Sequence, residues 1–175
     1  MQRLVASSRL FRIEEMKLRF SNGVERTYER LLGGKCPAVI VIPVLDNDTV
    51  LLIREYGGGV DRYELALPKG RVEPEEDILD AANRELKEEI GYGARELELF
   101  KLMTQSPNYM QHKTQVVIAR GLFPESAEGD EPEPLDVVEV KLAELETWIM
   151  REDLTEARSI AALLMYKNFC CAGAG

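Results

Sequence analysis

Three glutamates stand close together in the middle of this 175-residue chain, at positions where they could bind a cation. Glu85 and Glu89 are one helical turn apart, and at about 100° per residue they lie along the edge of an apolar helix face, with Glu88 beside them. Carboxylates that border buried surface repel one another and lose hydration, so they are costly unless a counter-ion is present. Ligands that are all oxygen atoms suit Mg²⁺ or Mn²⁺ better than zinc. The alternative is a solvated acidic helix face, which is common in helices rich in Glu and Lys.

The segment that carries these glutamates, residues 70–92, has the pattern of a loop followed by a helix. Pro74 suits the loop, and Gly91 suits a left-handed glycine cap after the last helical residue. About four turns of helix are predicted between them. The apolar face of that helix comprises Ile78, Leu79, Ala82, Leu86 and Ile90.

The same segment resembles the Nudix box at every fixed position. The matching residues are Gly70, Glu76 and the run RELKEEIGY from Arg84 to Tyr92. A pattern with so many fixed positions is far more specific than a lone glycine motif. The resemblance implies an α/β fold, the Nudix α/β/α sandwich with a mixed sheet. It also implies that water attacks phosphorus in a nucleoside diphosphate linked to another moiety, with the help of one to three Mg²⁺ ions.

The resemblance also implies roles within the box. The metal ligands would be Glu85, Glu89, Glu88 and a backbone carbonyl near Lys69 or Gly70. Glu88 would share metal binding or take a catalytic part through water. Arg84 would orient the glutamates by salt bridges, and Glu76 would serve the geometry of the loop.

The general base lies outside the box in the enzymes of this family that hydrolyse ADP-ribose, in an acidic loop well after it. In this chain the corresponding loop carries Glu125, Glu128, Glu131 and Glu133. The pattern Glu131-x-Glu133-x-Leu135, which leads into the last strand, resembles that loop best, so Glu131 is the first candidate for the base. Glu128 and Glu133 are the alternatives, and each of these residues could instead be a solvated loop charge.

Several residues outside the box resemble positions that set the substrate class. Pro107, fifteen residues past Tyr92, is close to a proline position associated with ADP-ribose and ADP-sugar pyrophosphatases. The run from Arg54 to Tyr56, with Glu64 further on, resembles a substrate-binding segment of ADP-ribose enzymes, except that Gly57 stands where those enzymes usually have a second arginine. The remaining candidates are Arg54 and Arg30 for the diphosphate or terminal ribose, and Tyr28 or Tyr56 for stacking on adenine.

These features resemble most the branch of the family that hydrolyses ADP compounds. That resemblance implies cleavage of ADP-ribose, diadenosine di- or triphosphate and NADH to AMP plus a phosphorylated product. A strict ADP-ribose or ADP-sugar pyrophosphatase is the main alternative. A hydrolase of RNA 5′ ends and a non-catalytic binding module are further alternatives, and the complete set of box glutamates argues against the module.

Composition limits the partners and the compartment. The formal charge of −9 argues against binding to nucleic-acid backbones or anionic membranes. No signal peptide is visible, and the longest apolar run, around residues 38–45, is too short to span a bilayer. Cys36, Cys170 and Cys171 lack metal-ligand spacing and indicate reduced thiols. His112 is the only histidine. We therefore expect a cytoplasmic protein that acts on small molecules and uses a carboxylate as its base.

The first 34 residues are predicted to form a β-hairpin extension, and residues 35–175 the Nudix domain. Residues 9–20 and 24–30 would be the strands, joined at Asn22-Gly23 by a type I′ turn. The extension could cover the sheet as a lid, or it could contact a second subunit in a homodimer, as the resemblance to ADP-ribose pyrophosphatases implies.

The remaining elements are predicted from shorter patterns. Residues 36–45 are continuous, apolar and β-branched, which indicates a strand buried on both faces. Further strands are predicted at residues 50–56, 63–67, 97–103, 114–119 and 137–140. A short helix over residues 142–150 follows. Residues 153–156, DLTE, suggest a capping box for a last helix that ends near Cys171.

Overall fold

The computed structural model describes residues 2–34, 36–129 and 131–170. Within these ranges no helix is long and apolar enough to cross a membrane. Cys36 is a free thiol. Cys171 and the side chain of Cys170 lie outside the described part of the chain.

The N-terminal extension is a three-stranded antiparallel sheet, in which β1 (Gln2–Ser7), β2 (Arg12–Arg19) and β3 (Glu25–Leu31) lie in that order. The predicted hairpin corresponds to β2 and β3, whose register runs from the pair Ile13 and Leu31 to the pair Arg19 and Glu25. The strand β1 was not predicted, because its residues alternate only weakly between apolar and polar.

The prediction of a type I′ turn in this hairpin is wrong. That turn needs positive φ at both central residues. Gly23 has a φ of +80°, but the φ of Asn22 is not positive. The N–H of Gly23 donates to the carbonyl of Phe20 (2.9 Å), so Ser21 and Asn22 are the central residues of the turn. Gly23 follows them as the left-handed residue of a three-residue loop.

The rest of the chain forms two further sheets and the helices that pack on them. The elements are β4 (Ala38–Pro43), β5 (Thr49–Gly57), β6 (Arg62–Ala66), β7 (Lys69–Arg71), α1 (Ile78–Glu89), β8 (Tyr92–Thr104), β9 (Lys113–Pro124), β10 (Asp136–Lys141), a 3₁₀ turn (Leu142–Glu144), α2 (Leu145–Trp148) and α3 (Ala157–Cys170). One sheet has the order β7-β4-β9-β8 and the other β10-β5-β6. The pair β4–β9 is parallel and the other pairs are antiparallel, which confirms the predicted mixed sheet.

Strand β4 explains why the core has helices on two sides. Successive side chains of a strand point to opposite faces. Ile40 and Ile42 pack in a cluster with Leu163 and Tyr166 of α3, whereas Val41 packs in a second cluster with Leu86 of α1. All three β4 residues are fully buried. The continuous apolar run therefore reflects burial on both faces, as predicted, and the layers are those of an α/β/α sandwich.

The last helix begins with a different cap from the one predicted. Glu156 precedes the first helical residue, and its carboxylate accepts a hydrogen bond from the N–H of Ser159 (2.8 Å). Asp153 instead pairs with Arg54 (2.9 Å) and Arg151 (2.8 Å). The predicted capping box is therefore wrong by three residues, because Asp153 is used for ion pairs and Glu156 takes the position of the cap.

Candidate active site

Helix α1 places its glutamates against the core. Its N-terminus is capped by Asp77, whose carboxylate accepts from the N–H of Leu79 (2.8 Å). Its C-terminus is followed by Gly91 with a φ of +73°, the left-handed conformation that glycine adopts without strain. The predicted apolar face packs into the core. Glu85 and Glu89, at the edge of that face, are each only 8% exposed.

Arg84 holds three box glutamates in place. Its guanidinium donates to both carboxylate oxygens of Glu76 (2.9 and 3.1 Å), to Glu85 (2.8 Å) and to Glu88 (2.9 Å). Glu76 in turn accepts from the N–H of Glu73 (2.8 Å), which fixes the loop before the helix. This geometry matches the roles that the sequence suggests for Arg84 and Glu76.

Glu89 is buried at the edge of the apolar helix face, and this burial disfavours its charged form. Burial raises the pKa of Glu89 to about 8, although the charge and the backbone N–H of Lys69 act in the opposite direction. That N–H donates to Glu89 Oε2 (3.0 Å). A carboxylate that loses hydration in this way gains from a nearby cation.

Gly70 is needed because the Glu85 side chain lies directly against it. A Cβ added at this position would overlap the carboxylate of Glu85. The close approach explains a glycine here without any need for positive φ, and it places the Gly70 backbone beside the box glutamates.

We expect Gly70→Ala to displace the Glu85 carboxylate and to lower kcat by at least about tenfold, the lower range for a disturbed ligand shell. The melting temperature should change little, because a side chain rather than backbone must move. Gly58→Ala is the matched control, since a Cβ there meets no atom within 4 Å. Equal kcat in Gly70→Ala and wild type would contradict this reading of Gly70.

A cavity of about 780 Å³ opens beside these residues, and we call it the acidic cavity. Its described lining comprises Glu55, Lys69, Gly70, Arg71, Glu73, Arg84, Glu85, Glu88, Glu89, Glu128, Gly129 and Glu131. Seven of these residues are glutamates and three are cationic, so the lining carries a formal excess of four negative charges (7 − 3). A cavity with this lining attracts cations and repels a free phosphate.

The acidic loop reaches this cavity because it runs back along α1. The N–H of Glu125 donates to the carbonyl of Gly91 (3.0 Å), and the N–H of Ala127 donates to the carbonyl of Lys87 (3.1 Å). Lys87 also pairs with the Glu125 carboxylate (2.9 Å). The loop is therefore fastened to the helix just before Glu128.

The structure separates the three candidates for the base. Glu128 and Glu131 line the acidic cavity. Glu133 does not line it and instead accepts a hydrogen bond from the hydroxyl of Tyr63. Glu131 and Glu128 are thus placed near the box glutamates, and Glu133 is placed towards β6.

The donor set of the acidic cavity fits Mg²⁺ or Mn²⁺. Glu85, Glu88 and Glu89 offer hard oxygen atoms, which these ions prefer, and Glu89 is a desolvated carboxylate. Within the described ranges no three acidic, histidine or cysteine side chains are already arranged as a metal site. Arg84 donates hydrogen bonds to Glu85 and to Glu88 in this arrangement.

Three of the predicted substrate residues lie together, but away from the acidic cavity. Tyr28, Arg30 and Pro107 line a separate cavity of about 400 Å³ between the N-terminal sheet and the β8–β9 connection. Among the described residues, its lining and that of the acidic cavity share no member. Arg30 is paired there with Glu14 (2.7 Å).

The other three predicted substrate residues lie on the β5–β6 side. Arg54 pairs with Asp153 (2.9 Å), and the Tyr56 hydroxyl donates to Asp61. Glu64 is 9% exposed and accepts hydrogen bonds from Arg62 (2.9 Å) and Thr155 (2.7 Å). Glu64 lines another cavity, of about 450 Å³.

Sequence reasoning did not select two residues that stand out in the structure. Glu55 and Lys69 line both the acidic cavity and the cavity of Glu64, and their side chains form an ion pair. The sequence places Lys69 next to Gly70, and this position indicated only that the Lys69 backbone carbonyl could bind the metal ion. Their pairing depends on the meeting of β5 and β7, which lie in different sheets.

Comparison with known proteins agrees with this fold. A NUDIX domain model matches residues 34–166, and a model of the N-terminal domain of NudE-type Nudix hydrolases matches residues 1–30. The chain therefore belongs to the Nudix hydrolases, as the box indicated. It is a pyrophosphohydrolase that acts on phosphorus-containing anhydrides.

Several individual proteins are similar to this chain over most of its length. The chain is 46% identical over 165 residues to the ADP compounds hydrolase NudE of Escherichia coli (strain K12), over 94% of this chain and 88% of that protein. It is 28% identical over 128 residues to the ADP-ribose pyrophosphatase of Bacillus subtilis (strain 168), over 72% and 69% of the two chains. A crystal structure of an ADP compounds hydrolase matches with a TM-score of 0.92 at 43% identity, covering 99% of this chain and 94% of that one.

Proposed function

We propose that the chain is a Mg²⁺-dependent pyrophosphohydrolase of small ADP-linked compounds, which it cleaves to AMP and a phosphorylated product. The observation that carries the proposal is the position of Glu85 and Glu89, buried on the flank of α1 and facing one cavity with Glu88, Glu128 and Glu131. The similarity to ADP compounds hydrolases supports ADP-ribose, diadenosine di- or triphosphate and NADH as the substrates to test.

In this proposal the residues of the acidic cavity have different roles in the hydrolysis. Glu85, Glu89 and Glu88 would hold a divalent ion, together with the Gly70 backbone. When bound, that ion would neutralise charge on the diphosphate and would make the attacking water more acidic. Glu131 accepts the proton that this water loses as its oxygen bonds to phosphorus. The electron pair of the broken P–O bond stays on the bridging oxygen of the departing phosphate. Arg84 keeps the glutamates in position.

The substrate residues remain part of the proposal. Tyr28 and Arg30 offer a ring and a cation in the cavity that also contains Pro107. Arg54, Tyr56 and Glu64 offer similar groups on the β5–β6 side, where the Arg54 guanidinium would have to share or exchange its partner Asp153.

We also propose that residues 1–34 form an extension that joins two copies of the Nudix domain, residues 35–175, in a cytoplasmic homodimer. Large apolar side chains of the extension are exposed in the single chain, including Leu4, Leu10, Phe11, Leu18 and Phe20. Light scattering should give twice the chain mass of 19.8 kDa, and a monomer at micromolar concentration would argue for the lid instead.

A substrate panel tests the proposed activity. We expect turnover of ADP-ribose, diadenosine triphosphate and NADH with Mg²⁺, measured by chromatography of AMP, and loss of turnover when EDTA is added. Exclusive cleavage of ADP-ribose would favour the strict ADP-ribose or ADP-sugar pyrophosphatase, for which the 28% identity to such an enzyme is the supporting observation. Cleavage of 5′-triphosphate RNA in place of these compounds would overturn the proposal, as would the absence of turnover on every member of the panel.

A further inference from the structure

Two cavities meet at a single ion pair. The acidic cavity and the cavity of about 450 Å³, which we call the second cavity, share two described residues, Glu55 and Lys69. Lys69 Nζ and Glu55 Oε2 are in direct contact. A ligand that occupies both cavities would therefore lie beside this pair.

The backbone of Lys69 is held by strand pairing and by Glu89, whereas its side chain is held by a single ion pair with Glu55. Its backbone pairs with Ile40 of β4 and donates its N–H to Glu89 (3.0 Å). Its side chain is 19% exposed and pairs with Glu55, which is 28% exposed. An ion pair that lines two open cavities can give up its carboxylate for a phosphate oxygen without leaving a buried charge unpaired.

The other cations of the acidic cavity are less suited to a phosphate. Arg84 is engaged by Glu76, Glu85 and Glu88, so its guanidinium is committed to the glutamates. Arg71 is exposed at the rim, and its carbonyl accepts from Arg84. Lys69 is the cation of this lining that lies beside both Glu89 and the second cavity.

The second cavity has the polar groups that a sugar needs. Glu64 and Thr155 are hydrogen-bonded to each other, and Glu156 is paired with Arg158 (2.7 Å). Carboxylates, a hydroxyl and a guanidinium can bind sugar hydroxyls as acceptors and donors. The described lining of this cavity contains no aromatic ring on which a base could stack.

We infer that Lys69 binds the phosphate of the departing half of the substrate, exchanging Glu55 for it, and that the second cavity holds the sugar of that half. This inference rests on the proposed function and assigns one further substrate-binding residue to it. When the P–O bond to the bridging oxygen breaks, the electron pair remains on that oxygen and the departing phosphate gains negative charge. The Lys69 ammonium then stabilises more charge in the transition state than in the bound substrate.

Kinetics of two Lys69 variants test the inference. We expect Lys69→Met to lower kcat/KM for ADP-ribose by about 10²-fold, the usual effect of removing one donor to developing negative charge. Lys69→Arg, which keeps the charge, should recover most of the loss. Lys101→Met, at an exposed position of β8, is the matched control and should behave like wild type. Wild-type kinetics in Lys69→Met would overturn the inference and leave the proposed function intact.

Glu55→Gln separates a phosphate contact from a merely structural ion pair. If Lys69 serves the substrate, removing its competitor should lower KM, because the Lys69 ammonium is then available to the phosphate. If Lys69 serves only to pair with Glu55, Glu55→Gln should be as damaging as Lys69→Met, and that result would overturn the inference.

A binding measurement makes the test independent of turnover. Calorimetry in Mg²⁺ buffer should show that Lys69→Met weakens the binding of ribose 5-phosphate about tenfold or more, as expected for one charge-assisted hydrogen bond. The affinity for AMP should stay near the wild-type value. Equal affinity of both proteins for ribose 5-phosphate, or no binding to wild type, would overturn the inference. An inactive wild type would overturn the proposed function, and the binding comparison would still decide the role of Lys69.

Discussion

Replacing Glu89 with glutamine is expected to lower the turnover of ADP-ribose by at least about 10³-fold, which corresponds to roughly 4 kcal/mol of transition-state stabilisation. The amide removes the negative charge and one of the two oxygen ligands, and an amide is a poor substitute for a carboxylate toward a hard cation. The fold should survive, because the amide oxygen of the new side chain can still accept the hydrogen bond from the N–H of Lys69. Removal of a desolvated charge also relieves a cost that burial imposes.

The measurement is kcat at saturating Mg²⁺, with the melting temperature measured in parallel. Glu96→Gln is the matched control, because Glu96 is an exposed acid on β8 outside the acidic cavity. A Glu89→Gln protein that retained wild-type kcat with an unchanged melting temperature would show that this residue does not hold the ion.

Replacing Glu131 with glutamine is expected to lower kcat by at least about 10²-fold, within the usual contribution of a general base. Glu131 lines the acidic cavity with the box glutamates, and in the proposed mechanism its carboxylate takes the proton of the attacking water. Glutamine has a similar shape but cannot accept that proton. We expect KM to change much less than kcat, because the substitution removes an interaction that develops in the transition state.

Two neighbouring acids serve as comparisons for Glu131. Glu128 lines the same cavity, so Glu128→Gln is the competing variant. Glu133 is bonded to Tyr63 outside that cavity, so Glu133→Gln should have a small effect. A large loss in Glu128→Gln together with normal kcat in Glu131→Gln would transfer the role of the base to Glu128.

The elements with strong periodicity were predictable from the sequence. In α1, the 3.6-residue repeat of apolar residues and Gly91 at its end determine one amphipathic helix, and they place Glu85 and Glu89 at the edge of the buried face. In β4, a continuous β-branched run indicates a strand covered on both faces, and Ile40 and Val41 do face different clusters.

Elements that depend on tertiary contacts were not predictable in the same way. The turn after β2 was assigned the wrong type because an Asn-Gly pair fits a two-residue loop as well as the end of a three-residue loop. The start of α3 was misplaced because DLTE contains two acids that can cap. Asp153 is used instead for ion pairs with Arg151, two residues before it, and with Arg54, 99 residues before it.

The same distinction applies to the site. The resemblance to the Nudix box implies the roles of Arg84 and Glu76, and the structure shows that Arg84 pairs with Glu76 and with Glu88. The meeting of Lys69 with Glu55 joins strands of different sheets, and the grouping of Tyr28 with Pro107 joins segments almost eighty residues apart. Local sequence patterns do not predict such contacts between distant segments of the chain.

Direct measurement of cation binding is the sharpest test of the role assigned to the acidic cavity. Mn²⁺ can be titrated into the protein without substrate, and its binding followed by electron paramagnetic resonance, for wild type, Glu85→Gln/Glu89→Gln and the control Glu96→Gln. We expect wild type and the control to bind Mn²⁺ with similar affinity, Mg²⁺ to displace it, and the double variant to lose this binding. Equal Mn²⁺ affinity in all three proteins would contradict the assignment of Glu85 and Glu89 as ligands of the divalent ion.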